Sequence, residues 1–162
     1  ITSCNFTNNA ALGGSTATGV GGNGGAISYS ATRKISKFDF GAGNNFTKNF
    51  AEIRGGAIFW DFNQPNNLTI QTFKNNTAKQ YGNDYGCFAQ VLKTITEAEY
   101  NSARTSKRQL VAASGSTELP VSSQQSGGFL PTIYIALVDE FNQIEGSDSS
   151  STATLGISDG YS

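Results

Sequence analysis

The stretch NFTKNFAEIRGGAIFW, residues 45–60, sets a phenylalanine, an asparagine three residues later and an alanine five residues later ahead of the tetrapeptide GGAI. Nothing in it reads as a reactive centre, yet the pattern recurs. FTNNAA begins at Phe6, FTKNFA at Phe46 and FKNNTA at Phe73. They align Phe6, Phe46 and Phe73; Asn9, Asn49 and Asn76; and Ala11, Ala51 and Ala78. GGAI stands at Gly24–Ile27 and Gly55–Ile58, and GNDY at Gly82–Tyr85 keeps the offset of the second GGAI from its phenylalanine. The first copy is longer because Ser15–Asn23, STATGVGGN, interrupts it.

A short unit repeated at this spacing cannot bury its apolar face alone and does so by stacking on its neighbours. The segments are too short and polar for helix pairs, so the expectation is a parallel β-helix of about three coils, stacked at a strand spacing of about 4.8 Å. Phe6, Phe46 and Phe73 point inward and stack, each burial stabilising by about 1.5–3 kcal/mol. Asn9, Asn49 and Asn76 form an amide ladder at one corner, satisfying backbone groups that an apolar residue would leave bare. The glycine pairs allow positive φ and close approach of coils.

Composition agrees with many short strands and tight turns. The 162 residues include 19 glycines, 15 asparagines and 34 serines plus threonines, and no segment holds a sustained 3.6-residue period. A net charge of −1 with 14% charged residues gives no electrostatic footprint for nucleic acid. No apolar run approaches the roughly 20 residues that span a bilayer. The chain has no methionine and opens inside a repeat, which reads as a processed product or a piece of something longer.

The FxxN and GGAI motifs resemble the polymorphic outer membrane protein repeats of bacterial autotransporter adhesins. The fuller FxNNxA form resembles still more the large secreted surface proteins of ciliates that carry a pectin-lyase-like, right-handed β-helix. The likeness covers about residues 1–90 and lacks the membrane barrel of the bacterial family. It implies a right-handed coil, an extracellular or cell-surface location, and an adhesive or structural role.

The second half loses the repeat. A β-helix over 1–92 is expected to pass through a connection, 93–108, into strands over 109–162. In the connection, Thr96 and Glu99 fit a capping box, but its polarity favours a solvated link over a helix. RQLVAAS, ELPVSS, FLPTIYIALVDEF, NQIEG and STATLGI read as strands of an antiparallel, incomplete immunoglobulin-like β-sandwich. Both faces of FLPTIYIALVD are apolar and expected to be covered. GSDSSS reads as a loop suited to O-linked sugar. In the ciliate-type proteins a similar ALVDxxxQ segment begins a β-rich module.

The chain has no histidine, and the repeats hold only Asp39, Glu52, Asp61 and Asp84 as acids, unpaired between coils. No catalytic residue, metal site or cofactor is expected, and an enzyme such as a polysaccharide lyase or hydrolase is the most distant alternative. Trp60, Asp61 and Arg54 make the best sugar-binding patch, set against an exposed aromatic beside a solvated acid. Asn5, Asn45, Asn67 and Asn75 each open an N-x-T sequon, so covalent N-linked glycans are expected. Asn5 and Asn45 precede an inward phenylalanine and therefore face outward. Cys4 and Cys87 lie in different phases about 10 Å apart along the coil axis, beyond the usual disulfide span. They pair with cysteines elsewhere or remain two buried thiols. Arg104, Lys107 and Arg108 read as a solvated basic face. These features point to a structural subunit of an extracellular, glycosylated filament or coat, self-assembling head to tail as a homopolymer. The alternative is an adhesin or carbohydrate-binding module.

Overall fold

The computed structural model describes residues 1–14, 21–30, 38–61, 63–105, 128–129, 131–146 and 151–152, Arg104 by its backbone alone. The strands expected in RQLVAAS, ELPVSS and most of STATLGI, most of the serine loop, and the basic cluster apart from the Arg104 backbone lie outside these residues.

The described chain is mostly β with one short helix. Each repeat forms three short strands: β1 (Asn5–Thr7), β2 (Ala10–Ala11) and β3 (Ile27–Tyr29) in rung one; β4 (Asn45–Thr47), β5 (Phe50–Ala51) and β6 (Ile58–Trp60) in rung two; β7 (Thr72–Lys74), β8 (Thr77–Ala78) and β9 (Tyr85–Cys87) in rung three. They build three parallel sheets ordered β1-β4-β7, β2-β5-β8 and β3-β6-β9. Register sets Phe6 on Phe46 on Phe73, and Ile27 on Ile58 on Tyr85.

The local reason is the same in each rung. Asn8, Lys48 and Asn75, at φ of 57°, 54° and 56°, bend the chain between first and second strands through the left-handed region. The next residue is the ladder asparagine. Gly24, Gly55 and Gly82 also take positive φ, where a Cβ would collide with the carbonyls of Ile27, Ile58 and Tyr85. The second glycine serves a different purpose. A Cβ on Gly25 would strike the carbonyl of Gly56 in the next rung, and one on Gly56 that of Asn83. Asn83 holds the equivalent place in rung three, where no described rung lies beyond, so a side chain is tolerated.

The core is an aromatic column. The ring of Phe46 lies 4.8 Å from Phe6 and 5.3 Å from Phe73, nearly parallel to both at 4° and 18°. Phe40 meets Phe46 edge-on, and Trp60, Ile58 and Leu68 complete the cluster.

After rung three, β10 (Val91–Ile95) pairs antiparallel with β11 (Tyr134–Val138). The connection between them includes helix α1, Glu97–Thr105, where a solvated link was expected. Thr96 accepts from the Glu99 N–H through Oγ1 at 3.2 Å, and Glu99 Oε2 accepts from the Thr96 N–H at 2.7 Å. This reciprocal cap starts the helix. Tyr100 and Ala103 then pack on Ile95, Val138 and Ile144, giving the helix a tertiary partner that its weak periodicity did not reveal. The other face of the ribbon is less covered than expected: Ile135 is 39% exposed, and Phe129, ahead of β11, is fully so.

Candidate functional site

Two surfaces bear on function: the outer face of the rungs, and the seam where the ribbon meets the stack.

On the outer face, Asn5, Asn45, Asn67 and Asn75 are all exposed. Asn5 and Asn45 are register partners in β1 and β4, and Asn45 Nδ2 donates to Asn5 Oδ1 at 2.9 Å. Asn67 and Asn75 both sit at positive φ, and Asn67 Nδ2 donates to the Phe40 carbonyl at 3.0 Å.

Behind this face runs the amide ladder. Asn49 Oδ1 accepts from the backbone and side chain of Asn9 at 3.1 and 2.9 Å. Asn49 Nδ2 donates to the Phe6 carbonyl at 3.0 Å and to Asn76 Oδ1 at 2.9 Å. Asn76 Nδ2 repeats this toward the Phe46 carbonyl and then toward Asp84 Oδ1, each at 3.0 Å. Asp84 thus supplies the oxygen that a following asparagine would supply. It stands where Ala26 and Ala57 stand in the other copies. A second ladder links the Cys4 N–H to Asn44 Oδ1 and Asn44 Nδ2 to Gln71 Oε1. Its three residue types differ, so no sequence pattern announces it.

The candidate sugar patch does not form. Trp60 is 1% exposed, stacked on Tyr85 and met edge-on by Phe141, and its Nε1 donates to Glu140 Oε1 at 3.1 Å. A ring sealed in this way offers no face to a sugar, and it is not a solvent-exposed aromatic either. Asp61, 8% exposed, accepts from Ser30 Oγ. Arg54 turns to another carboxylate, its Nε donating to Glu145 Oε2 at 3.2 Å. Its guanidinium lies over Tyr81 and Phe88, 5.5 and 5.3 Å from the ring centroids.

Residues 139–145 therefore close the seam. Asp139 accepts from the N–H groups of Phe141 and Gln143 and from Gln143 Nε2, shaping a turn around Asn142 at φ 60°. Gln143 Nε2 also donates to the Tyr85 carbonyl at 3.1 Å, so the turn covers β9. Arg54 and Glu145 are nearly buried, with side chains 11% and 6% exposed. Neutralising Glu145 as Glu145→Gln keeps an oxygen acceptor but leaves the nearly buried Arg54 guanidinium without its counter-charge. We expect it to lower unfolding stability by about 1–3 kcal/mol, read by denaturant titration.

Cys4 and Cys87 are both free thiols. Cys4 is half-buried and its Sγ faces the Thr2 carbonyl at 3.2 Å. Cys87 is buried among Trp60, Val138 and Glu140 beside a cavity of about 110 Å³, and burial pushes its pKa up to about 12. It is therefore a thiol, and no nucleophile, at neutral pH. At pH 8 a thiol reagent is expected to modify Cys4 in the native protein and Cys87 only after denaturation; equal rates would contradict this burial. The raised pKa also fixes a sign. Stability from the protonated Cys87 is fully present below about 8.5, the unfolded thiol value, and declines as pH rises toward about 12.

Among the described residues no group of three or more acids, cysteines or histidines is placed to hold a metal ion. No described helix is long and apolar enough to cross a membrane. No protein family, characterised protein or solved structure matches the chain.

Proposed function

We propose that this chain is a structural subunit of an extracellular, glycosylated filament or surface coat, built on a right-handed parallel β-helix. In this proposal residues 109–162 form an antiparallel, immunoglobulin-like module beside it, and copies join head to tail. The observation that carries the proposal is the rung-to-rung repetition. The same phenylalanine stack and amide bonds recur from rung one to two and from two to three, while the four sequon asparagines lie on the surface.

The best candidates for a ligand site argue the same way, because Trp60 and Asp61 are sealed inside and Arg54 is engaged with Glu145. β7 and β8 end their sheets on the side away from β4 and β5, with Phe73 half-buried. Among the described residues no further strand pairs with those edges, which suit strand pairing with another copy. β9 does not, since Gln143 and Phe141 cover it.

Electron microscopy of the native material tests the proposal. Filaments or sheets with an axial repeat of one subunit are the expected result. Isolated particles would overturn it and leave an adhesin module to be studied by glycan and cell binding.

A further inference from the structure

The pairing of two sequons has a consequence for the sugar coat. We propose that Asn5 and Asn45 together form one N-glycan site, occupied at Asn5. The inference rests on the glycoprotein reading above and goes beyond it in saying how many glycans this face carries and where.

Asn5 and Asn45 are in register on adjacent parallel strands, so their Cα atoms are separated by about 4.8 Å. Both side chains leave the same face, and their amides already touch, with Asn45 Nδ2 donating to Asn5 Oδ1 at 2.9 Å. An N-linked glycan replaces one Nδ2 hydrogen with a pyranose ring bearing an acetamido group. Two such rings cannot leave from amides in hydrogen-bond contact without prising β1 from β4. That pairing also seats Phe6 on Phe46, so the aromatic column resists the opening.

The amide bond also has a direction. Asn5 takes part through its oxygen, so a glycan on Asn5 Nδ2 leaves the bond intact. Asn45 takes part through its nitrogen, so a glycan there competes with the bond. Rung three avoids the problem, because Thr72 occupies the place paired with Asn45. Asn67 and Asn75 lie outside this register and are independent of the pair.

The test is secretion of the full chain from a glycosylating eukaryotic cell, with intact masses before and after enzymatic removal of N-glycans. Thr7→Ala deletes the Asn5 sequon, Thr47→Ala deletes the Asn45 sequon, and neither alters the asparagines. The parent and Thr47→Ala are expected to carry the same number of glycans. The double variant carries one fewer, and peptide mapping of the parent places the glycan on Asn5. In Thr7→Ala, Asn45 accepts the glycan instead. A secreted, folded parent carrying one glycan more than each single variant would overturn the inference while leaving the glycoprotein reading intact. If no protein loses mass on deglycosylation, the glycoprotein reading falls and the inference with it.

Discussion

Replacing Phe46 by alanine is expected to lower unfolding stability by about 3–5 kcal/mol, the range for emptying a fully buried phenylalanine site. Phe46 is 0% exposed and is the middle ring of the column, touching Phe6 and Phe73 on its two faces and Phe40 at its edge. The cavity cannot collapse easily, because backbone pairing holds the rungs on either side at fixed spacing. Against a total stability of about 5–15 kcal/mol, such a loss takes a large share. Phe73→Ala supplies the comparison, since Phe73 is only half-buried and its loss should cost less. Equal effects in denaturant titrations of the two variants would show that the column is not what supports the stack.

The second large effect is expected at Asn49. Leucine has nearly the same size, so Asn49→Leu removes hydrogen bonds with little change in volume. It strips the side-chain donor from the Phe6 carbonyl, while Asn76 Oδ1 keeps the Asn49 backbone N–H and loses only the side-chain one; Asn49 and Asn76 are 0% and 5% exposed. A buried polar group left without a partner costs about 1–3 kcal/mol, so the variant should lose about 1–3 kcal/mol. Asn9→Leu is the control. Asn9 is exposed, water replaces what it gives up, and the loss should be no more than about 1 kcal/mol. If Asn9→Leu and Asn49→Leu destabilised alike, burial would not be what makes the ladder matter.

These two residues show why part of the fold was legible without coordinates. In a stacked rung each position meets its own counterpart above and below, so the environment repeats and the residue type repeats with it. Phenylalanine, asparagine and the glycine pair are chosen by contacts one repeat away. The departures are legible in hindsight for the same reason. Asn83 replaces a glycine where no described carbonyl lies beneath it, and Asp84 replaces an alanine where the ladder needs a last acceptor.

Other features were hidden. Arg54 finds Glu145 across 91 positions and Trp60 finds Glu140 across 80. Neither pair belongs to a repeat, so no spacing in the sequence marks it. Trp60 beside Asp61 has the composition of a sugar site, and only the packing of residues 139–145 over it removes that role. Helix α1 has a readable cap but a weak apolar stripe, and its existence depends on β11 and Ile144 offering a surface to Tyr100 and Ala103.

The sequence alone determined the rung: its length, its inward phenylalanine, its corner asparagine, its glycines and the outward sequons. All of these answer to local backbone geometry and to an identical neighbour. The tertiary structure decided which polar and aromatic side chains stay open to solvent. That depends on which distant segment covers them, and burial by a non-repeating partner leaves no periodic trace in the chain.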